Sequence, residues 1–378
     1  MKGPFRADHV GSLLRPESLL EKREEWKQDK ISIGALRRFE DKCIADIVKK
    51  QEAIGIKSVT DGEFRRESFH FDFIDQIIGI ETNFTLKGAF EQGEKTRAGG
   101  EKMVPLTVEI KDRMVLPHKG INIHNYRYLH AVAGSGSVPK VTMPSPTMTH
   151  FRGGRDAISK EAYPDMDRFF NDLAGMYRQE IGMLAEAGCK YIQFDDTNLA
   201  YLCDSKMRQD ARDRGEDPEE LPRTYAALIN ECIRGRPDDM AACVHLCRGN
   251  ARSLWFAEGD YEPIADNLFN LTDVDGFFLE YDDERSGGFE PLRFVPKGDK
   301  KIVLGLVTTK RGEMESRDEI KQRIEEASKF VDINQLCLSP QCGFSSNAIG
   351  NLISEQEQFD KLGMIVELAT EIWGGIDK

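Results

Sequence analysis

The chain has 378 residues, 40% hydrophobic and 31% charged, which suits a soluble globular protein with a sizeable core in one large domain or two ordinary ones. A net charge of −13 excludes nucleic acid as the main partner, because phosphate binding needs a positive surface. No apolar run reaches the ~18 residues of a membrane span, and the N-terminal segment lacks an apolar signal core, so the cytoplasm is the expected compartment.

In chain order, a strand is expected at Ala7–Val10, then helices at Ser18–Gln28 and Ile33–Ile54, which make Met1–Ile54 an N-terminal extension plus a first helix. Strands follow at Ile56–Thr60, Lys140–Met143, Lys190–Asp195, Ala242–Leu246, Gly276–Glu280, Lys301–Leu306 and Gln335–Ser339. Between them lie helical patterns such as Asp165–Ala187 and Glu315–Phe330, with apolar residues three and four apart and acids near their starts. This alternation predicts an α/β fold with a parallel sheet: a TIM (β/α)8 barrel, with a doubly wound open sheet as the alternative. Residues 80–135 break the rhythm, and the alternating segments Leu106–Ile110 and Asn122–Tyr128 predict an inserted β-hairpin or meander. No linker, repeat or low-complexity tract divides the chain, so residues 1–378 are expected to form a single barrel.

The eight cysteines show no framework spacing, so most are expected to be reduced and buried. Cys247 and Cys342 have company of another kind. His245-Leu246-Cys247 ends an apolar run, and residues i and i+2 of a strand point to one side. By itself this could be a core histidine beside a buried cysteine. Glu280 and Cys342, however, also end strand-like runs, and in a parallel barrel all strand C-termini open on the active face. The set His245, Cys247, Glu280 and Cys342 suits zinc. Two thiolates and a carboxylate make the centre anionic, which favours activation of a thiol over hydrolysis; a structural zinc is the competing reading.

Other strand ends supply pocket candidates. Asp195 and Asp196 close one run, and Glu63 follows Asp61-Gly62 at another. A substrate ammonium would explain Glu63 and Asp195, since a buried cation needs paired charge. Gly11 and Ser12 offer a hydroxyl and close backbone approach for a substrate carboxylate, or a simple turn. His70 and His150 are acid–base candidates, although packed side chains are the expected reading for both.

The order Val10-Gly11-Ser12, Asp61-Gly62-Glu63, Gln193-Phe194-Asp195-Asp196, His245-Leu246-Cys247, Leu279-Glu280 and Pro340-Gln341-Cys342-Gly343 resembles the catalytic barrel of cobalamin-independent methionine synthase over about residues 7–350. The resemblance implies a TIM barrel, zinc on His245, Cys247, Glu280 and Cys342, and methyl transfer from methyltetrahydrofolate polyglutamate to homocysteine. It places the homocysteine carboxylate on Gly11 and Ser12 and the amino group on Glu63 and Asp195. No group is assigned as catalytic acid or base. The full-length family enzyme has two tandem barrels, and this chain has length for the catalytic one. The family's folate-stacking Trp would fall in Val141–Pro146 and its proton-donating His in Val307–Lys310, where neither residue occurs. The family's Asp-Glu-Pro-Ala-Leu stands here as Asp195-Asp196-Thr197-Asn198-Leu199. Expected partners are therefore a small thiol and a methyl donor, either the folate, a small methylated compound or a methylated protein carrier. Alkyl transfer involving a coenzyme thiol, and a non-catalytic zinc- or thiol-binding barrel, are the alternative functions; the oligomeric state is left open.

Overall fold

The computed structural model describes residues 2–83, 107–250 and 252–377. Its strands are β1 (Ser58–Val59), β2 (Ile78–Thr82), β3 (Val108–Val115), β4 (Val138–Pro139), β5 (Val141–Pro144), β6 (Tyr191–Asp196), β7 (Ala241–Leu246), β8 (Gly276–Glu280), β9 (Lys301–Val307) and β10 (Leu336–Pro340). Strands β5 to β10 form one six-stranded parallel sheet whose neighbours follow chain order. Almost every residue of these strands is buried, as expected for a parallel sheet covered on both faces.

Parallel neighbours need crossovers, and helices at Met166–Glu186, Leu221–Ile233, Ala265–Leu271 and Arg317–Ala327 provide four of them. The first begins where Asp165 accepts the Arg168 backbone N–H at 2.8 Å, and it buries Phe169, Leu173, Met176, Tyr177, Ile181 and Leu184 at helical spacing. The final helix, Glu355–Trp373, starts in a reciprocal capping box between Ser354 and Glu357.

Both edges of the sheet continue. Strand β1 pairs in parallel with β4, which runs directly into β5. On the other side Ala7 bridges Leu338 of β10 in parallel. No backbone ladder joins the Ala7 segment to β1 among the described residues; side chains make that junction. His9 Nε2 donates to the Ser58 carbonyl at 2.8 Å, Ser58 Oγ to Asp8 at 2.6 Å, and Thr60 Oγ1 to the Gly11 carbonyl at 2.6 Å. The large core lies between sheet and helices, while a smaller cluster unites Phe5, Val10, Val138, Tyr191, Ala241, Cys243, Phe278, Val303 and Cys337, contributed by every parallel segment except β1 and β5.

The insertion contains the expected hairpin, with β2 and β3 antiparallel. Residues 84–106, within it, lie outside the described residues. One part of the expectation fails: Asn122–Tyr128 is not a strand, because Ile123–Val132 is a helix. Ile123, Tyr126 and Leu129 are the buried positions, and their three-residue spacing outweighs the local alternation. No helix of the described residues is long and apolar enough to cross a membrane.

Candidate metal centre

His245 is the fifth residue of β7, in register with Asp195 of β6 and Phe278 of β8. The side chain of Cys247 lies on the same side two residues later, where the Cys247 backbone N–H is held by the Asp196 carbonyl at 2.7 Å. Glu280 ends β8, and Cys342 follows β10 after Gln341, whose backbone N–H donates to the Val307 carbonyl at 2.8 Å. The four side chains predicted as ligands come together: each is buried, and one ligand atom from each lies within 4.8 Å of all the others.

The donor atoms fit a metal. Neither ring nitrogen of His245 makes a well-aligned hydrogen bond, the Cys342 sulfur being its polar neighbour, although burial of an unsatisfied imidazole is unfavourable. The sulfurs of Cys247 and Cys342 are 3.3 Å apart, too far for a disulfide. With protons alone to share, the Cys247 thiol donates to Cys342, which holds Cys342 below and Cys247 above the ordinary thiol range. Burial disfavours a charged His245, but the adjacent Cys342 sulfur raises its pKa overall. Glu280 differs from these three. Its carboxylate accepts the Arg248 backbone N–H at 2.8 Å and an Arg285 guanidinium N–H at 2.6 Å. Such outer partners fix the orientation of a ligand carboxylate.

The second predicted group lies alongside. Glu63 has a left-handed backbone, φ 61°, a conformation that non-glycine residues rarely hold outside functional sites. Its Oε1 accepts from Thr142 Oγ1 at 2.7 Å and pairs with Arg66 at 3.3 Å, whereas its buried Oε2 has no partner. Burial raises the Glu63 pKa despite the opposing pull of Arg66. Asp195 accepts from Gln193 Nε2 at 2.7 Å; burial, and then the charge of Glu63, push its carboxyl up to about 7. Gly11, with φ 136°, packs so closely on Thr142 that a Cβ would lie 2.5 Å from its methyl group. Ser12 abuts the residue after Cys342: a Cβ on Gly343 would fall 1.9 Å from Ser12 Oγ. Gly11, Ser12, Glu63 and Asp195 are thereby linked to the metal-ligating set through Thr142, His245 and Gly343.

Other candidates are taken up by structure. Asp196 accepts from Thr147 Oγ1 and the Leu199 backbone N–H, both at 2.7 Å. His150 pairs with Tyr225 at 2.9 Å, and burial lowers its pKa to about 4. His70 packs between Phe69 and Phe71 with Nδ1 3.2 Å from Ser68 Oγ. Sequence reasoning singled out none of the buried arginines, of which Arg15, Arg66, Arg248 and Arg285 bear on these groups. Arg15 ties the carbonyls of Glu63 and Arg66 to that of Ser345 at 2.8–3.0 Å. The signal available was adjacency, since Arg66 follows Glu63 by three residues and Arg248 follows Cys247 directly.

A cavity of about 520 Å³ lies nearby, lined by Phe151, Arg152, Tyr201 and Arg214 and by the acids Glu109, Asp156 and Asp210. Tyr201, on its wall, is within electrostatic reach of Cys247.

Comparison with known proteins places the chain in a family. Residues 5–371 match the family described as cobalamin-independent synthase, catalytic domain. The uncharacterized protein YxjH of Bacillus subtilis is 43% identical over 372 residues, covering 98% of this chain and 96% of its own. A solved Listeria monocytogenes chain, provisionally assigned as a vitamin-B12-independent methionine synthase, is 40% identical with a TM-score of 0.79 over 99% of both chains. A B12-independent methionine synthase from a Shewanella species, solved with selenomethionine, shares the fold at 18% identity and a TM-score of 0.68 over 98% of both. Matched over nearly its whole length, the chain belongs to the family of cobalamin-independent synthase catalytic domains.

Proposed function

We propose that this protein is a cytoplasmic zinc-dependent methyltransferase that converts homocysteine, or a closely similar amino-thiol, to its S-methyl product on a single barrel spanning residues 1–378. One observation carries the reading: a buried His–Cys–Glu–Cys set within 4.8 Å stands beside two buried carboxylates, one with an unpartnered oxygen. His245, Cys247, Glu280 and Cys342 would hold the metal. When bound, zinc supplies a Lewis-acidic centre at which a thiol loses its proton near neutral pH.

The residues around it select the thiol. Glu63 and Asp195 share the single nearby cation Arg66, so a substrate ammonium would supply the second positive charge that lets both carboxyls ionise. Gly11 and Ser12 would meet the carboxylate end. In the transfer a sulfur–carbon bond forms, the donor's bond to its methyl group breaks, and the thiol proton ends on the leaving group. The cavity past Tyr201 is the natural place for the donor. Its acids outnumber its arginines, so a polyglutamate tail gains little there, and both folate and smaller donors belong in a screen.

Two features support the closed barrel. An open sheet would keep its edge strands apart, yet Phe5 and Val10 share one cluster with Val138, Tyr191 and Phe278. Asp8 also meets Ser58, Lys140 and Tyr191 from three different segments.

The test is metal analysis, followed by a donor screen with homocysteine scored by methionine formation. We expect one zinc per chain, lost together with thiol turnover in Cys342→Ser. Absence of zinc, or zinc and turnover unchanged in that variant, would refute the proposal.

A further inference from the structure

Arg248 is the largest fully buried side chain among the described residues, and its guanidinium meets no carboxylate in an ion pair: its polar neighbours are the Tyr261 hydroxyl and the Cys203 sulfur, neither in well-aligned hydrogen-bond geometry. Arginine does not shed its charge in a protein, so this is a buried cation. Its guanidinium lies over the Tyr261 ring at 4.6 Å. The groups acting on it are Tyr261, Cys203 and Glu280. Tyr261 and Cys203 are a buried phenol and a buried thiol, so the one carboxylate among the three belongs to Glu280. The Arg248 backbone N–H bonds the Glu280 carboxylate, and the residue directly follows Cys247.

A buried guanidinium with no carboxylate of its own is costly, and an apolar side chain of similar size would avoid that cost. The neighbouring Arg285 is different: besides Glu280 it pairs with Asp282 and Asp283, so its charge is matched locally. Arg248 has no such match.

Resting on the function proposed above, we propose that Arg248 is a positioning residue whose buried charge offsets the anionic metal centre and so favours entry of the substrate thiolate. Two cysteine thiolates and a glutamate around a divalent ion carry one net negative charge, and a substrate thiolate adds a second. A cation beside this centre acts oppositely on the two arrivals. It opposes the metal ion and attracts the thiolate. A residue that merely shaped the site would help or harm both together.

Arg248→Met and Arg248→Lys separate these roles. Zinc affinity is measured by competition with a chromogenic chelator, and thiol entry by homocysteine titration of the visible spectrum of cobalt-substituted protein. In Arg248→Met we expect zinc held at least as tightly as in the wild type and the homocysteine dissociation constant raised roughly 10- to 30-fold, the size of a unit charge acting across a few ångströms of protein. Arg248→Lys should stay within a few-fold of the wild type. Arg248→Gln carries the same test should Met not be accommodated. Equal homocysteine affinity in the uncharged variant, or parallel loss of zinc and thiol, overturns the role of Arg248 alone. Failure of the wild type itself to take up metal or to respond to homocysteine overturns the underlying reading, and this inference with it.

Discussion

On the proposed function, Asp195→Asn should make the protein more stable and less able to bind an amine-bearing thiol. Burial and the Glu63 charge push the Asp195 carboxyl up to about 7 from an ordinary 3.8. The native state then binds this proton more tightly than the unfolded chain. Between those two values folding takes up a proton, so stability falls as pH rises through the window and levels off above about 7. Asparagine cannot ionise, yet its side-chain oxygen still accepts from Gln193 Nε2. Its advantage over the wild type should therefore grow by about 2.5 kcal/mol between pH 5 and pH 8, as the linkage relation gives for these two pKa values. Urea unfolding of metal-free wild-type and variant protein at both pH values measures it, with the change in slope checked separately. In the same variant, preference for homocysteine over its des-amino analogue should fall by ~30-fold or more, the worth of a buried charge pair. A stability difference independent of pH would refute the electrostatic account of Asp195. Undiminished discrimination would refute its place in the amine site.

Three further outcomes follow from other parts of the structure. Gly343→Ala puts a methyl group 1.9 Å from Ser12 Oγ, so it should destabilise by about 1–3 kcal/mol and weaken thiol binding, and adding Ser12→Ala should restore most of the stability in thermal unfolding. Lys140→Met leaves Asp8 without its buried ion-pair partner at 3.3 Å; because Ser58, Tyr191 and backbone N–H groups still donate to Asp8, the expected cost in denaturant titration is about 3 kcal/mol, the low end for such pairs. His9, which burial and then Lys140 hold down to about 4, stays neutral in the native state while the unfolded chain protonates near 6.5. Its contribution is present above pH 6.5 and is lost as pH falls toward 4, so the difference between wild type and His9→Gln should shift by about 3 kcal/mol across that window in pH-dependent unfolding.

The strands were legible because each is a short apolar run bounded by turn residues, and a fully buried parallel strand leaves that trace. Predicted and observed limits agree within about one residue from β5 to β10, whereas β4 was not predicted and the expected strand Ala7–Val10 is reduced to a single bridge at Ala7. The candidate ligand residues stood out for a related reason: a charged or metal-binding side chain at the end of an apolar run needs an explanation. The helix at Ile123–Val132 was not, since Ile121 and Ile123 alternate like a strand while the spacing that decides burial spans Ile123, Tyr126 and Leu129. The spent residues were hidden too. Asp195 and Asp196 look equivalent in sequence, but a strand turns them to opposite faces, one toward His245 and the other toward Thr147 and the next helix turn.

Least legible were the arginines, and they change the chemistry. By sequence the site is a collection of acids and thiols in a chain of net charge −13. In the fold Arg66 lies against Glu63, and Arg285 and the Arg248 backbone take the two oxygens of Glu280. A guanidinium reaches across several ångströms from a loop, so its partner is fixed by how strands are laid side by side and not by spacing along one of them. The consequence is a division of labour. Arg66 offers one cation to two carboxyls, an arrangement that would favour a monocationic substrate; Arg285 orients the Glu280 carboxylate and partly neutralises it. His245 and the two sulfurs have no comparable partners. A divalent metal would satisfy those three together, and on the proposed reading the positive charge built into the fold would let a substrate thiolate sit beside it.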